Sequence, residues 1–384
     1  MQTVKIEELG TFDKNHTIIL DIRKKEDFDR GSMEGAVNIP MDEIEERYKE
    51  LDREKTICVL CYTGERSFEN CEYLEEHGFS VCNLEGGYRS FLRKTLEEMV
   101  KSEEGLKERT AQIERSIIKK FRKQLWRPFT KGMRDYQLIL PGDKIACCIS
   151  GGKDSMLMAK LLQELQKHGE IPFEIVFLVM NPGYREDNWQ IIQNNAKVLG
   201  IPLTVFESDI FDVVADIDRN PCYLCARMRR GHLYAKAKEL GCNKIALGHH
   251  FDDVIETTLM GMLYSGKIET MMPKLHSQNF SGMELIRPMY LIKEEAIKAW
   301  RDYNHLGFIQ CACRFTENCV SCGGGKGSKR DEMKELIAEF RKTSSVIDMN
   351  IFRSVHNINL RTVIGYHKDD WTYNFLDDYE KYAK

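Results

Sequence analysis

Residues Ser150–Ser155 read Ser-Gly-Gly-Lys-Asp-Ser and directly follow the apolar run Lys144–Ile149. A strand that enters a glycine-rich turn and then a helix forms a cradle for an anion, because glycines let backbone N–H groups approach an oxyanion and the helix N-terminus adds positive potential. The spacing differs from the Walker A pattern, which has four residues between its first Gly and Gly-Lys-[Ser/Thr]. The string therefore predicts an anion-binding loop of another kind, with Lys153 and Asp154 as its charged members.

Further polar residues follow the predicted strands Phe173–Met180 and Asn243–Gly248. Ligands of parallel α/β sheets bind at the carboxyl ends of the strands, so these segments should border one crevice. Paired histidines and aspartates at a strand end suit Mg²⁺ held through phosphate groups, and polar caps are the alternative. The predicted crevice comprises Ser150, Gly151, Gly152, Lys153, Asp154 and Ser155 with Met180, Gly248, His249, Asp252 and Asp253.

A cysteine loop lies in the first hundred residues, where the predicted strand Thr56–Leu60 runs into Cys61-Tyr-Thr-Gly-Glu-Arg66-Ser67. A cysteine on a strand-to-helix turn faces backbone amides and the positive end of the helix dipole, and Arg66 adds charge. Such a loop stabilises a thiolate or a persulfide anion. Four residues separate Cys61 from Arg66, which fits one sulfur atom better than the wider phosphate cradle of a cysteine phosphatase.

A Cys-x-x-Cys loop, Cys222-Tyr-Leu-Cys225, precedes a predicted helix at Gly231–Leu240. Two thiolates at this spacing chelate a thiophilic metal. Four more cysteines follow some ninety residues later, at Cys311, Cys313, Cys319 and Cys322. A zinc site that joins the first pair to Cys319 and Cys322, and an exposed redox pair, both stay open.

Composition indicates a globular, cytoplasmic protein. There is no apolar stretch near eighteen residues and no signal peptide, so we expect no membrane segment. Thirteen cysteines in a reducing compartment argue against disulfides. Cys58, Cys71 and Cys82 fit strand or helix patterns and are expected in the core.

The net charge of −4 conceals an asymmetry. Residues 1–100 hold 14 Lys and Arg against 23 Asp and Glu, so the remainder is positive. The stretch Arg115–Arg134 has eight basic residues, no acidic one, and Phe121, Trp126 and Phe129 among them. This composition suits a phosphate backbone, and a solvated linker helix is the alternative. The candidate contacts are Arg115, Lys119, Lys120, Arg122, Lys123 and Arg127, with Arg227, Arg229 and Arg230 beside the Cys-x-x-Cys pair.

Strands that alternate with helices must position these residues, and this order predicts α/β domains with parallel sheets. A length of 384 residues predicts two or three domains. We expect a parallel-sheet domain at 1–95, a basic helical linker at 96–135, a larger doubly wound domain at 136–345 and a tail at 346–384 whose role the sequence leaves unknown.

The N-terminal segment resembles a single-domain rhodanese. The resemblance rests on Leu20–Arg23, Gly35–Pro40, Cys61–Ser67 and Glu85–Tyr88. It implies that Cys61 carries a sulfane sulfur, with Arg66 assisting. An inactive rhodanese-like docking module is the alternative.

The Ser150–Ser155 string resembles the PP-loop of the ATP pyrophosphatase superfamily, which has an adenine nucleotide alpha hydrolase-like fold and adenylates carbonyl oxygens. From about Ile117 to Asn357 the chain resembles the tRNA 2-thiocytidine synthetase group. The matching strings include Gly142–Ile145, Cys222–Cys225, Arg227–Gly231, Ala246–Asp253, Tyr264–Lys267, Met272–Lys274 and Ile286–Tyr290. This resemblance implies ATP, Mg²⁺ and a [4Fe–4S] cluster held by three cysteines.

Cys222 and Cys225 carry over directly as cluster ligands. Cys313, in Cys313-Arg-Phe-Thr316, fits the third ligand best, and Cys311 is the alternative. Cys319 and Cys322 depart from the family pattern and leave a separate zinc site or a sulfur relay open.

The expected function is that of an ATP-dependent tRNA sulfurtransferase. Lys153 and the loop would stabilise departing pyrophosphate, and Asp154 with Asp252 and Asp253 would hold Mg²⁺. We expect Cys61 to accept sulfur from a cysteine desulfurase or another sulfane-sulfur donor and to pass it to the cluster. The resemblance favours cytidine 32 as the target and makes a homodimer possible. A uridine, a small metabolite or a carrier protein as substrate, and a zinc-bound sulfur-trafficking module, are the alternatives.

Overall fold

A five-stranded parallel sheet organises the first hundred residues in the computed structural model of the chain. The structure describes residues 2–6, 8–13, 15–29, 31–99, 103–208, 210, 221–309 and 329–382. The strands are β1 (Gln2–Val4), β2 (Thr17–Asp21), β3 (Val37–Asn38), β4 (Thr56–Leu60) and β5 (Ser80–Leu84), in the order β1-β5-β4-β2-β3. The helices are α1 (Lys25–Asp29), α2 (Ile44–Arg47), α3 (Ser67–Glu76) and α4 (Gly87–Met99). Cys61–Ser67, hereafter the Cys61 loop, leaves the carboxyl end of the central strand β4.

Two core cysteines of this sheet are paired. The parallel register of β4 and β5 sets Cys58 directly beside Cys82, with 4.8 Å between their Cα atoms, and the structure joins them by a disulfide. Their expected burial is confirmed, but the expectation of free thiols throughout was wrong for this pair. The cause is register, which brings together two residues separated by 24 positions in the sequence.

A second sheet of six strands is parallel except at one edge. Its strands are β6 (Lys144–Ile149), β7 (Glu174–Asn181), β8 (Leu203–Glu207), β9 (Lys244–Ala246), β10 (Lys274–His276) and β11 (Glu284–Ile286), in the order β10-β11-β9-β6-β7-β8. Only β10 and β11 pair antiparallel. The helices are α5 (Glu103–Ile118), α6 (Arg127–Asp135), α7 (Lys153–His168), α8 (Glu186–Val198), α9 (Pro221–Glu239), α10 (Phe251–Ser265) and α11 (Glu294–Tyr303). The predicted α/β fold with parallel sheets is confirmed.

Ser150–Ser155, hereafter the Ser150 loop, joins β6 to α7 at the carboxyl edge of this sheet. The strand β6 is apolar along its length because helices cover both faces of the sheet, and five of its six residues are buried. The loop is therefore held between a buried strand and a helix that shares the same core.

The segment predicted as a linker at 96–135 contributes to the core of the second sheet. Ile117 of α5, Leu125 of the π-helical turn Arg122–Trp126, and Phe129 of α6 are fully buried in the cluster that includes residues of β6 and α7. The apolar stripe of the segment therefore makes it a layer packed on the second sheet.

The two sheets belong to one compact unit, Met1–Phe251 with Pro273–Lys326. Helix α4 of the first sheet packs on α8 of the second, where Arg89 and Arg93 both lie beside the carboxylate of Asp187. Leu92 packs so closely on Gly307 that a Cβ there would overlap it. The contact between α4 and α8 thus joins the predicted rhodanese-like segment to the predicted nucleotide-binding segment.

A second compact unit consists of Asp252–Met272 and Gly327–Lys384. It contains most of α10 together with α12 (Lys329–Thr343), α13 (Ile347–Ser354) and the antiparallel hairpin of β12 (Gly365–Lys368) and β13 (Trp371–Asn374). Tyr366 stacks on Tyr373 across the hairpin at 4.9 Å between ring centroids. No described helix in either unit is long and apolar enough to span a bilayer.

Candidate active site

The Ser150 loop is built around its glycines. Gly151 has φ +84°, and a Cβ at this position would lie 2.6 Å from Cγ1 of Ile192, so only glycine fits. The Ser155 hydroxyl accepts a hydrogen bond from the Ser150 amide at 3.1 Å and donates to the Gly152 carbonyl at 3.0 Å. These bonds fix the turn at the N-terminus of α7, where N–H groups of the first helical turn can serve an anion.

The ammonium group of Lys153 lies between two carboxylates. Its Nζ is 3.0 Å from each carboxylate oxygen of Asp154 and 3.1 Å from Oε1 of Glu294. Burial alone would lower the pKa of Lys153, but Asp154 and Glu294 outweigh it and raise that pKa. Burial would raise the pKa of Glu294, yet Lys153 and Lys298 hold it below its usual range. A fixed cation therefore stands at the mouth of the loop near neutral pH.

The segment after β9 passes directly against the start of α7. A Cβ on Gly248 would lie 3.2 Å from the Ser155 amide nitrogen. His250 is buried, and its Nε2 lies 3.9 Å from Oδ1 of Asp154. His249, which the sequence analysis placed in the crevice, is half-buried. His250 is thus the neighbouring histidine that lies beside Asp154 of the Ser150 loop.

The carboxyl end of β7 forms a turn beside these residues. Met180 is buried against Ile210, so its side chain belongs to the core. At this strand end, only the backbone of Met180 could contact a ligand. The side-chain oxygen of Asn181 accepts from the Tyr184 amide at 2.9 Å, closing the turn toward α8. The Tyr184 hydroxyl accepts a hydrogen bond from Nη2 of Arg229 at 3.0 Å.

Asp252 and Asp253, the predicted magnesium ligands, face arginines of α12 within the second compact unit. Arg341 donates to Oδ1 of Asp252 at 2.7 Å, and Nη1 of Arg330 is 3.6 Å from Oδ1 of Asp253. Either carboxylate would have to exchange its arginine for Mg²⁺. Among the described residues, no three His, Cys, Asp or Glu side chains stand together so that they could hold a metal ion.

The Cys61 loop surrounds a buried sulfur with donors. Cys61 is 5% exposed, and its Sγ accepts from the Gly64 amide at 3.0 Å. Gly64 has φ +86°, and a Cβ there would lie 2.6 Å from the Gly86 amide nitrogen. Glycine is therefore needed where the loop lies against the start of α4. Donors aimed at the sulfur stabilise negative charge on it.

Asn83 in β5 braces this loop and was missed by the sequence analysis. Its side-chain amide donates to the Gly64 carbonyl at 2.9 Å. The Ser67 hydroxyl lies 2.5 Å from Oδ1 of Asn83 and 3.3 Å from Sγ of Cys61, and its single proton serves one of them at a time. No local sequence signal marks Asn83, because its role arises from the pairing of β5 with β4. Arg66 is exposed at the start of α3.

Two of the cysteines predicted to bind a cluster, Cys222 and Cys225, lie in a described helix. Helix α9 begins at Pro221, ten residues before the predicted start, so Cys222 and Cys225 lie in a helix rather than a loop. Cys311, Cys313, Cys319 and Cys322 lie outside the described residues.

All but one of the basic residues of the predicted nucleic-acid surface are exposed, whereas the aromatic residues among them are buried or half-buried. Phe121 and Phe129 are buried core residues and Trp126 is half-buried, so these rings pack the fold, contrary to the expected role in nucleic-acid binding. The exposed cations are Arg115, Lys119, Lys120, Arg122, Lys123 and Arg127, with Arg227 and Arg230 on α9. Arg229 is half-buried against Tyr184.

Comparison with known proteins agrees with this geometry. Residues 117–313, just over half of the chain, match the family described as PP-loop domain. The chain belongs to the PP-loop family. Residues 7–94 match the rhodanese-like domain, which covers the Cys61 loop. The rhodanese-like domain and the PP-loop domain thus coincide with the two parallel sheets.

Curated relatives share one name. The tRNA-cytidine(32) 2-sulfurtransferase of Pseudomonas fluorescens (strain Pf0-1) is 35% identical over 245 residues, covering 62% of this chain and 85% of the relative. The protein of that name from Hahella chejuensis (strain KCTC 2396) is 34% identical over 258 residues, covering 66% of this chain and 86% of the relative.

Among solved structures, the U34-tRNA thiolase NcsA from Methanococcus maripaludis with its [4Fe-4S] cluster is 22% identical. The match covers 62% of this chain and 80% of the thiolase chain, with a TM-score of 0.47. Together the two domains and the relatives make this PP-loop protein a sulfurtransferase, and its PP-loop implies ATP as the nucleotide.

Proposed function

We propose that this sulfurtransferase thiolates tRNA, using ATP to activate the C2 carbonyl of cytidine 32 and replacing its oxygen with sulfur. The observation that carries the proposal is the Ser150 loop, where Lys153 stands between Asp154 and Glu294 at the N-terminus of α7. The shared name of the relatives supports tRNA and cytidine 32.

Adenylation makes oxygen a leaving group. The carbonyl oxygen of the base attacks the α-phosphorus of ATP, an O–P bond forms, and pyrophosphate departs with the electrons of the broken P–O bond. The negative charge that develops on pyrophosphate is stabilised by the amides of the Ser150 loop and by Lys153. Asp154, a member of the loop, is the carboxylate that would contact Mg²⁺ arriving with ATP.

Sulfur then attacks the activated carbon, and AMP leaves with the oxygen. We propose a persulfide on Cys61 as the sulfur source, charged by a cysteine desulfurase or another sulfane-sulfur donor. The outer sulfur of the persulfide forms the bond to C2 and is still joined to Sγ of Cys61. An external thiol attacks Sγ, the S–S bond breaks with its electrons going to the sulfur on C2, and a mixed disulfide forms on Cys61. A second thiol reduces this mixed disulfide and restores the Cys61 thiol. The buried Sγ of Cys61, with the Gly64 amide and the Ser67 hydroxyl beside it, suits a bound persulfide anion.

Packing within one unit supports delivery in the same chain. The amide of Tyr88, the second residue of α4, donates to the Cys61 carbonyl at 2.9 Å. Helix α4 then reaches Asp187 of α8 through Arg89 and Arg93. Ile192, further along α8, lies against Gly151 of the PP-loop. A continuous chain of contacts thus connects the Cys61 loop with the Ser150 loop.

We further propose a [4Fe–4S] cluster ligated by Cys222, Cys225 and Cys313, with Cys311 as the alternative third ligand. The Cys-x-x-Cys spacing of positions 222 and 225 fits two ligands of one cluster. When bound, such a cluster supplies an iron with a free coordination position for sulfur.

The experiment is nucleoside analysis of tRNA after incubation with ATP, a sulfane-sulfur donor and a thiol. We expect ATP-dependent 2-thiocytidine and its loss when cytidine 32 is replaced. A 2-thiouridine product would move the target to a uridine, and pyrophosphate release that needs a small molecule or a carrier protein instead of tRNA would overturn the proposal.

The cluster is tested by measuring iron and acid-labile sulfide on protein purified without oxygen. We expect both to be lost in Cys222→Ala, and zinc alone would contradict the cluster.

A further inference from the structure

A surface cavity of about 480 Å³ lies where α5 passes the C-terminal end of α11. Four of its lining residues are cations and none is a carboxylate. The residues that matter are Arg109, Arg115, Lys119 and Lys120 from α5 and the turn after it, with Tyr303 and Asn304 at the end of α11. The cavity is therefore a concentrated positive site.

Neighbouring acids do not neutralise these cations. Glu114 precedes Arg115 in the chain, but its Oε1 lies 2.6 Å from Nζ of Lys160 and 2.8 Å from Nζ of Lys167, on another side of α5. Within the part of the chain that the structure describes, no carboxylate pairs with any of the four lining cations. Burial lowers the pKa of Arg109, as expected for a cation that lacks a counter-charge. An anion entering the cavity would supply one.

An aromatic ring stands beside the positive charge. Tyr303 is 51% exposed, and Nζ of Lys120 lies 4.4 Å from its ring centroid. Phe121 supports the ring from its edge, with 5.6 Å between centroids. Exposed aromatic rings next to cations bind unstacked nucleobases, because every base has a π-face and every nucleotide a phosphate.

The floor of the cavity is rigid. Asn304 is buried, its side chain donates to the Ser116 hydroxyl at 3.0 Å and to the Trp300 carbonyl at 2.8 Å, and its carbonyl accepts from Arg109. Donors held in place before binding lose less conformational entropy when a phosphate arrives.

Helix α11 separates the cavity from the PP-loop. Glu294 at its first residue contacts Lys153, and Tyr303 at its last residue lines the cavity. Ten residues at ~1.5 Å each place these ends about 14 Å apart. The two features are therefore distinct sites, and a tRNA is long enough to contact both.

We propose that the cavity binds a backbone phosphate of an unpaired segment of the tRNA, with the adjacent base stacked on Tyr303. The proposal rests on the proposed function and deepens it by locating substrate contacts. The sequence analysis treated the basic stretch as one surface. The structure instead separates Arg115, Lys119 and Lys120 from the later cations and adds Arg109 and Tyr303 to them.

The test is tRNA binding by the full chain as a function of salt, with inorganic phosphate at matched ionic strength as the small-anion probe. The double variant Arg115→Gln/Lys119→Gln is compared with Lys49→Gln/Lys197→Gln, which removes the same charge from exposed positions outside the cavity. We expect the first variant to bind tRNA about tenfold more weakly and to lower the slope of log K against log salt by about one to two units. The control should match wild type.

Tyr303 separates stacking from general charge. Tyr303→Ala should weaken tRNA binding roughly tenfold, whereas Tyr303→Phe should keep wild-type affinity, because stacking uses the ring. ATP binding, followed as a thermal shift, should be unchanged in all these variants.

Three outcomes would overturn the proposal. Cavity variants that bind tRNA as the control does would remove the site, and a loss of stabilisation by inorganic phosphate without a loss of tRNA binding would make it a small-anion site. A wild-type chain that binds no tRNA would instead overturn the proposed function together with this inference.

Discussion

Lys153 forms ion pairs with two carboxylates, one adjacent to it in the sequence and one far from it in the sequence. Asp154 is its neighbour in the chain, whereas Glu294 arrives from the start of α11. Both contacts raise the pKa of Lys153 against the opposing effect of burial. Glu294 is therefore a positioning residue of the PP-loop.

Glu294→Gln should slow ATP-dependent pyrophosphate release about tenfold in kcat, with a smaller change in the KM for ATP. The substitution keeps the size of the side chain but removes the charge that orients Lys153, so the loss should be smaller than the ~10²–10³ expected when a stabilising donor itself is removed. Glu295→Gln, at the exposed neighbouring position, is the matched control. Equal slowing in both variants would contradict the role.

Cys61 and Cys71 should differ in sulfur chemistry. Burial, with Cys61 nearby, raises the pKa of Cys71 to about 12, which keeps it a thiol. Cys61→Ala should abolish persulfide formation and slow thiolation with a sulfane-sulfur donor, while thiolation with free sulfide is spared; Cys71→Ala should retain both. Mass spectrometry of the charged protein and parallel assays with the two donors measure this. Equal loss with both donors in Cys61→Ala would refute the relay.

Glu256 couples the stability of the second unit to pH. It is 2% exposed, and burial raises its pKa from 4.5 to about 7 although Arg330 lies 3.3 Å away. The folded state therefore binds this proton more tightly than the unfolded state, and stability falls as pH rises from about 4.5 to about 7.

Glu256→Gln should accordingly stabilise the protein by about 2–3 kcal/mol at about pH 8 and change little at about pH 5. Thermal unfolding at the two pH values measures the difference. Glu335→Gln, at an exposed position of α12, should have no such pH-dependent effect. A Glu256→Gln effect that is the same at both pH values would show that burial of charge is not its cause.

At the scale of elements, helix α4 connects the Cys61 loop of the rhodanese-like domain to α8 of the PP-loop domain. Its first residues touch the Cys61 loop, and its next turns hold Asp187 of α8 through Arg89 and Arg93. The contact with Arg93 is partly exposed and modest in energy, so its value lies in orientation rather than stability.

Arg89→Ala/Arg93→Ala should therefore lower thiolation with a sulfane-sulfur donor several-fold and leave thiolation with free sulfide near wild type. The ratio of the two rates is the measurement, because a general loss of folding would lower both. Lys94→Ala on the same helix is the control. If both rates fall together in the double variant, α4 has no part in delivery.

Elements also explain which predictions held. Strands β4 and β6 lie at their predicted positions, because apolar runs bounded by polar turns mark buried strands. Helix α9 begins ten residues early, since Pro221 suits the first position of a helix and residues 222–230 contain no glycine or proline. Boundaries of this kind depend on packing against the sheet, which local sequence does not encode.

At the scale of the whole molecule, the rhodanese-like and PP-loop domains share one compact unit. This arrangement predicts that sulfur passes within one chain. A mixture of Cys61→Ala and Lys153→Ala proteins should then show no more activity with a sulfane-sulfur donor than Cys61→Ala alone, since each chain lacks one half of the reaction. Rates of tRNA thiolation in the mixture, with each variant alone as reference, make the measurement. Recovery of activity on mixing would show transfer between chains.

The sequence by itself determined the two domains, the PP-loop and the Cys61 loop, because each motif is contiguous and its chemistry follows from neighbouring residues. It also indicated where the cations of α5 lie. Cys313 as a cluster ligand remains a prediction from sequence alone.

Only the tertiary structure decided which distant residues complete these motifs. Glu294 forms an ion pair with Lys153, and Arg341 forms one with Asp252. Asn83 donates a hydrogen bond to the Gly64 carbonyl, and Lys120 lies over the ring of Tyr303. Each pair is brought together by strand register or helix packing. Such contacts depend on the three-dimensional path of the chain, so no spacing in the sequence announces them.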